Sequence, residues 1–525
     1  MAFAGVICAR IMVGTHMSTA RRLHTLSALL RSRLLAIGLL IVLLLVICSP
    51  MAVACTIGVA NGSATADGRP LIWKVRDNAA VPNNEIYYNT SLTIPFVALV
   101  TANGGPDSPT WMGTNVNGFA LVNANAGDLS TRANGEFMRA ALGSCRSVRE
   151  FQTLLEATNG IRDTHGNFGV MDTTGAVFII EASRDSFWTY DTLDTERGFI
   201  IRTNFACVDT AGTGIDGLPG EHRFVRSTNL VTEWIDTGTL GVATLAGQHA
   251  RDFSNNHFEP FPLPCYECGD PDSLQGYFDS FFSICAGGTV SASVIQGVAP
   301  HPATEPAWLT TFWVHLGQPA CTIAAPYWPV GPAPAVANGP ETAPICDLAN
   351  VVRHQVVFPI PYYTRTVNSF GIYDGEGGGL WSTLLPVEAA IREVTDERLA
   401  WWRLNPPDAG TILAFEDSLA NVVHELLLDD VLTEAATPAV MRPLIAYPNP
   451  FNPATTLAFD LAQEGHARLE IYDLAGRRVA LILDGFMPVG HHRINWQPDG
   501  LASGVYVARF QAAGLVGHRR MVLLK

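Results

Sequence analysis

Ala52-Val-Ala-Cys55-Thr-Ile-Gly-Val-Ala60 is the stretch on which the reading of this chain turns. Ahead of it, Arg21, Arg22, Arg31 and Arg33 form a basic segment, an unbroken apolar run covers 34–47, and Pro50 precedes the small-residue site Ala52-Val-Ala54. That is the layout of a secretory signal occupying residues 1–54. The run is shorter than the roughly 20 residues a membrane-spanning helix needs, which makes an uncleaved anchor the second reading. A cut after Ala54 leaves Cys55 first, with a thiol and a free α-amine on one residue, the amine placed to act as general base for the thiol. A lipoprotein signal is a sharper alternative than the anchor, because lipid also attaches to a Cys behind a small residue. Lipidation would acylate the thiol and block the amine, but the Leu usual three positions earlier is Ala52 here.

The chain of 525 residues has 33 basic and 48 acidic side chains, a net charge of −15. Residues 1–54 hold five Arg and no acid, so the remaining 471 carry −20. Such a surface repels nucleic acid and anionic membranes, and the length suffices for two or three domains with their own cores. Besides Cys55, the exported part has cysteines at 145, 207, 265, 268, 285, 321 and 346. In an oxidising compartment some of these are expected to pair, with a connectivity that sequence does not give. Cys265-Tyr-Glu-Cys268 lacks a second such pair or a matching His pair, so it reads as a disulfide or loop staple rather than a zinc site. No string of the serine-hydrolase, zinc-protease or P-loop kind is present, and neither a cofactor nor a metal is expected.

Three regions differ in composition. From Cys55 to about Ser382, short β-rich runs alternate with turns; Asn167 to Glu181 reads as a hairpin around Asp172-Thr-Thr-Gly175, and Phe137 to Leu155 as helical. Residues 383–436 turn helical: Val387 to Trp402 has apolar residues at helical spacing and is stopped by Asn405-Pro-Pro407, and a second helix is expected from Phe415 to Leu432. A break at 437–442 then separates 55–436 from 443–525, where about seven short alternating runs predict a small β-sandwich.

Tyr447-Pro-Asn-Pro-Phe-Asn-Pro453, Ile471-Tyr-Asp-Leu-Ala-Gly-Arg-Arg-Val479, Leu501-Ala-Ser-Gly-Val-Tyr506 and Met521-Val-Leu-Leu-Lys525 together resemble the Ig-like C-terminal sorting domain of secreted bacterial proteins. The resemblance implies a second export step, of the type IX kind, to the cell surface or medium, with the export machinery as partner.

In the first region, Cys55-Thr-Ile-Gly-Val-Ala60 is followed by Ala64-Thr-Ala-Asp-Gly-Arg-Pro-Leu-Ile-Trp-Lys-Val-Arg-Asp-Asn78. Met112 to Asn123, Asn134-Gly-Glu-Phe-Met138, Asn167-Phe-Gly-Val-Met171, Arg202-Thr-Asn-Phe205, Gly217 to Arg226 and Thr311 to Pro319 come next, in order. This series resembles the choloylglycine hydrolase superfamily, in its isopenicillin-N acyltransferase-like and carcinine hydrolase-like branch. The resemblance implies an α+β fold, a four-layer αββα N-terminal-nucleophile hydrolase sandwich, here followed by the small all-β Ig-like sandwich. It implies Cys55 as nucleophile, Arg76 beside the thiol, and Asn123 and Asn204 as the pair that shapes the oxyanion site and holds the new N-terminus. Asn125 is the alternative to Asn123. Arg223 matches the second family Arg, with Arg226 as runner-up. Asp77 is an approximate match to an Asp that orients the α-amine, because the usual position holds Ala79.

The expected function is hydrolysis of linear, non-peptide C–N amide bonds in a small acyl amide, through an acyl-thioester on Cys55. Acyl transfer between amines by the same site, and an inactive surface-anchored binding protein, are the alternatives.

Overall fold

The computed structural model describes residues 55–78, 80–126, 132–210, 214–254, 276–300, 305–339, 342–359, 366–373, 379–436, 444–447, 451–461, 464–473, 476–488, 490–498, 500–512 and 515–523. The expected leader 1–54, the break at 437–442, Ala79 and the Cys265/Cys268 pair lie outside the described residues. In chain order come β1 (Cys55–Ala60), β2 (Leu71–Asp77), β3 (Asn84–Asn89), β4 (Phe96–Thr101), β5 (Thr110–Asn115) and β6 (Ala120–Asn125). Helices α1 (Arg132–Leu142) and α2 (Val148–Ala157) precede β7 (Gly166–Met171), β8 (Val177–Ala182), β9 (Phe187–Asp191) and β10 (Phe199–Arg202). Next are α3 (Glu221–Asp236), α4 (Val242–Gly247), β11 (Tyr277–Asp279), β12 (Thr289–Gln296), β13 (Thr311–Leu316) and β14 (Ala324–Tyr327). The region closes with α5 (Pro344–Val352), β15 (Thr366–Asn368), α6 (Leu380–Leu404) and α7 (Ala409–Ala436).

Two antiparallel sheets form the centre. One runs β3 through β9 in sequence order; the other has the order β10-β1-β2-β12-β13-β14. Every residue of β1 and β2 is buried, so these strands are covered on both faces. The faces turned towards each other meet at Gly169, where an added Cβ would lie 2.9 Å from both Val59 Cγ1 and Val122 Cγ2. Only glycine permits that approach without displacing both valines. On the far side of the seven-stranded sheet, Met138, Leu142, Phe151 and Leu155 of α1 and α2 pack with Phe96, Phe119, Phe168 and Ile180. On the far side of the six-stranded sheet, α4, α5, α6 and α7 contact β12, β13 and β14. The order of layers is helix, sheet, sheet, helix.

The hairpin around Gly175 is β7–β8, in register from Gly166↔Ala182 to Met171↔Val177. The single helix expected from Phe137 to Leu155 is two helices, because Ser147 caps a new start by accepting from Glu150 N. The last two helices are longer than periodicity implied, α6 beginning at Leu380 and α7 at Ala409. Against the expectation of disulfides, all six described cysteines, Cys55, Cys145, Cys207, Cys285, Cys321 and Cys346, are free thiols. Five of them are buried; apart from Cys55, these serve as small apolar side chains.

The C-terminal module has seven strands among its described residues: β16 (Ile445–Tyr447), β17 (Thr455–Leu461), β18 (Gly465–Asp473), β19 (Arg478–Met487), β20 (Gly490–Trp496), β21 (Gly504–Ala512) and β22 (Leu515–Leu523). They form sheets of order β16-β17-β20 and β19-β18-β21-β22. Phe459 of one meets Phe510 of the other at 4.1 Å between ring centroids, within a core that also holds Leu457, Leu469 and Met521. This is the sandwich that the seven alternating runs predict.

Candidate active site

The site grows from the register of β1 on β2. Cys55 lies opposite Arg76, and Ile57 opposite Lys74. Because alternate residues of a strand share a face, Cys55, Lys74 and Arg76 stand on one face, and Lys74 is diagonal to Cys55. The hydrogen bonds identify that face as the one turned to the seven-stranded sheet: Lys74 Nζ donates to Asn123 Oδ1 at 2.6 Å and to the Trp111 carbonyl at 3.1 Å. Arg76 places its guanidinium 4.7 Å from the Trp111 ring centroid and donates from Nη1 to Asn84 Oδ1 at 2.8 Å. Its Nη2 is buried with no hydrogen-bond partner among the described residues.

Asn204 closes the other side. Its Oδ1 accepts from the Cys55 nitrogen at 2.9 Å and from Arg223 Nη2 at 2.7 Å, while its Nδ2 donates to the Asn125 carbonyl at 3.0 Å. An amide held at both ends in this way has one orientation. Arg223 also donates from Nη1 to Thr56 Oγ1 at 2.9 Å. It reaches inward from the first turn of α3, where the preceding Gly220 has φ 87°. A side chain at Gly220 would meet Arg223 Nη2 at 2.7 Å and Thr203 Oγ1 at 2.8 Å, so glycine supplies both the left-handed turn and the room.

Burial sets the electrostatics. It lowers Lys74 to about 8 and Arg76 to about 10, each against the pull of Cys55, and it lowers Arg223 against the pull of Asp77. The same desolvation pushes Asp77 up to about 6, opposed by Arg223 and by a hydrogen bond from Thr289 Oγ1 at 2.5 Å. Three cationic side chains thus surround one thiol in a water-poor space.

Of the residues expected from sequence, Cys55, Asn204 and Arg223 are brought into direct contact or within one residue of it. Arg76 is the register partner of Cys55, and Asn123 joins through Lys74. Asp77 is buried beside this group, but the acceptor on the Cys55 nitrogen is Asn204. Of the alternatives, Asn125 spends its side-chain oxygen on Asn134 Nδ2, and Arg226 pairs with Asp252 at 2.7 Å. Lys74, Trp111 and Asn84 were missed. For Lys74 the signal was present, since a strand carrying Arg76 inward must carry the residue two before it inward too.

At the start of α3 the His222 ring meets Phe282 at 4.4 Å, and Phe281 and Phe282 are 53% and 38% exposed. A separate cavity of about 440 Å³ opens along β9 and β10, lined by Tyr190, Phe199, Arg202 and Phe224 among others. None of the expected site residues lines it. Among the described residues no group of three or more His, Cys, Asp or Glu is arranged to hold a metal.

Residues 445–523 match the family model of the secretion system C-terminal sorting domain. A tail of that family indicates secretion. Among the described residues no helix is long and apolar enough to cross a membrane. No curated protein matches the chain. Among solved structures it is similar to a mutant conjugated bile acid hydrolase from Clostridium perfringens, 13% identical, with 50% of this chain and 89% of that one covered at a TM-score of 0.25. It is also similar to penicillin V acylase from Agrobacterium tumefaciens, 12% identical, with 52% and 85% covered at 0.27. Overlap at this level transfers neither activity nor substrate.

Proposed function

We propose that this chain is a secreted cysteine N-terminal-nucleophile amidase that cleaves linear C–N amide bonds through an acyl-thioester on Cys55. The observation that carries the reading is the Cys55 nitrogen hydrogen-bonded to a side-chain amide, Asn204, which is itself locked by Arg223 and the Asn125 carbonyl. The Cys55 nitrogen stands at the first residue of β1, and once the chain is cut there the same contact would hold the α-amine beside its own thiol. After the cut behind Ala54, the amine takes the thiol proton as Sγ attacks the amide carbon. The charge that builds on the carbonyl oxygen is met by Asn123 Nδ2, an oxyanion donor of the kind worth about 2.7–4 kcal/mol. Collapse breaks the C–N bond, and the leaving amine takes the proton back from the ammonium. Water then adds to the thioester, releasing the acid and restoring Cys55. Arg76 and Arg223 stabilise the negative charge during both steps. In this scheme the precursor is inactive until its leader is removed, which confines the activity to the exported protein.

The test is N-terminal sequencing and intact mass of the exported protein, followed by incubation with N-acyl para-nitroanilides of increasing acyl length. The expected result is a free Cys55 at the N-terminus, an acyl adduct on it, and no turnover by Cys55→Ala. A lipidated or different N-terminus, or an Ala variant that still hydrolyses the anilides, overturns the reading.

A further inference from the structure

Lys74 is wholly buried, yet it is a charged group at the centre of the site, and no step described so far uses it. An ammonium can only donate hydrogen bonds. The 2.6 Å contact to Asn123 therefore obliges the amide to turn its oxygen towards Lys74, leaving both Nδ2 hydrogens on the other edge. The second donor, to the Trp111 carbonyl, anchors the ammonium to β5, so Asn123 is held from outside its own strand. In the sheet, Ser293 is the register partner of Lys74 on β12 and bonds Met112 Sδ, which leaves Lys74 as the residue of that row bonded to Asn123.

We propose that Lys74 is a positioning residue of the amidase: it fixes the orientation of the Asn123 amide so that Nδ2 is the edge offered to the oxyanion. The inference rests on the proposed function, since an oxyanion forms only if Cys55 attacks. Without Lys74, either edge of Asn123 can face the reacting carbonyl, and the oxygen edge repels the developing charge. Cys55 on β1 and Arg76 on β2 share the face of Lys74, Trp111 on β5 and Asn123 on β6 take its hydrogen bonds, and Asp77, on the other face of β2, acts on it only through its charge. With burial holding its proton loss near 8, the lock weakens above that pH.

The probe is para-nitrophenyl acetate, an activated ester that forms the same oxyanion without demanding a particular acyl pocket. The S–C bond forms, the ester C–O bond breaks, and nitrophenolate leaves with the electron pair while the thiol proton passes to the α-amine. Acetyl-Cys55 is counted by intact mass and nitrophenolate release is followed against pH. Lys74→Met keeps the side-chain length with little change in volume. It is expected to slow acetylation by about 100-fold, within the range for loss of an oxyanion donor, and by less than about 3-fold when Asn123 is already Ala, because the two residues act as a unit. Lys74→Arg keeps a donor that does not lose its proton; it is expected to recover part of the rate and to remove the decline above about pH 8. A wild-type protein that never acetylates Cys55 overturns the proposed function and this role with it. An active protein in which Lys74→Met costs the same with and without Asn123, or in which Lys74→Arg keeps the decline, overturns this role alone.

Discussion

Asn204 receives two donors on one oxygen, the Cys55 nitrogen and Arg223, and donates to the Asn125 carbonyl, so its loss unmakes all three contacts at once. Asn204→Ala is expected to leave Arg223 Nη2 buried and unpaired, at about 1–3 kcal/mol of stability, and to remove turnover along with it, measured by denaturant midpoint and steady-state kinetics. Asn123→Ala has a different signature: a fall of about 100- to 1,000-fold in kcat with KM little changed, as for a donor used only in the transition state. Asp77 makes a third prediction. Its carboxyl is raised from 3.8 to about 6 by burial, so the folded state prefers the neutral form. That preference contributes stability fully below about pH 4 and is lost as pH rises through about 6. Asp77→Asn, neutral throughout, is expected to flatten this part of a melting-temperature profile against pH. The residues themselves were legible in the sequence. Which Asn holds the Cys55 nitrogen was not, because Asn123 on β6 and Asn204 just beyond β10 are both short amides and only their partners tell them apart.

Glu388 shows the same division at the level of elements. Periodicity placed it on a helix, yet it is buried, with Oε1 and Oε2 accepting from Arg251 at 2.9 and 2.7 Å, Oε2 also accepting from Ala324 N, and His315 Nε2 at 3.3 Å. Arg251 in turn donates to the Pro319 and Thr322 carbonyls, so one ion pair ties α6 to the segment between β13 and β14. Burial alone would raise the Glu388 carboxyl, but Arg251 and His315 hold it well below 4.5. Its contribution is therefore full above about pH 4.5 and drains away as pH falls below that. Glu388→Gln, which strands a buried guanidinium, is expected to cost about 3–5 kcal/mol near neutrality. The difference from wild type should narrow in acid, as read from denaturant midpoints at two pH values. Helix ends show why sequence underestimates such elements: α6 begins seven residues before the periodic stretch, because Gly379 and the burial of Leu380 and Leu384 start the helix ahead of Pro386.

At the scale of the whole molecule, the C-terminal module draws its core from its own residues, Leu444 to Leu523. Deleting 443–525 is accordingly expected to leave the larger domain folded but stranded in the periplasm, as followed by fractionation and by acylation of Cys55 in each fraction. Surface display unchanged by the deletion would refute a sorting role. Because the catalytic amine in the proposed scheme is created by the first export step, a protein halted before the second should still be acylated.

Local chemistry determined much of this protein without help from its fold. The Asp-Thr-Thr-Gly hairpin and the seven alternating runs of the tail depend on neighbours a few residues apart, and such patterns survive in a linear string. Tertiary structure alone decided what depends on strands far apart in sequence. It left six cysteines as free thiols, split one helix in two at Ser147, and set Lys74 from one sheet against Asn123 of the other. It also made Asn204, 149 residues distant, the partner of the Cys55 nitrogen. Those choices follow from sheet register and from the desolvation of whatever the register buries, and neither quantity exists until the two sheets close on each other.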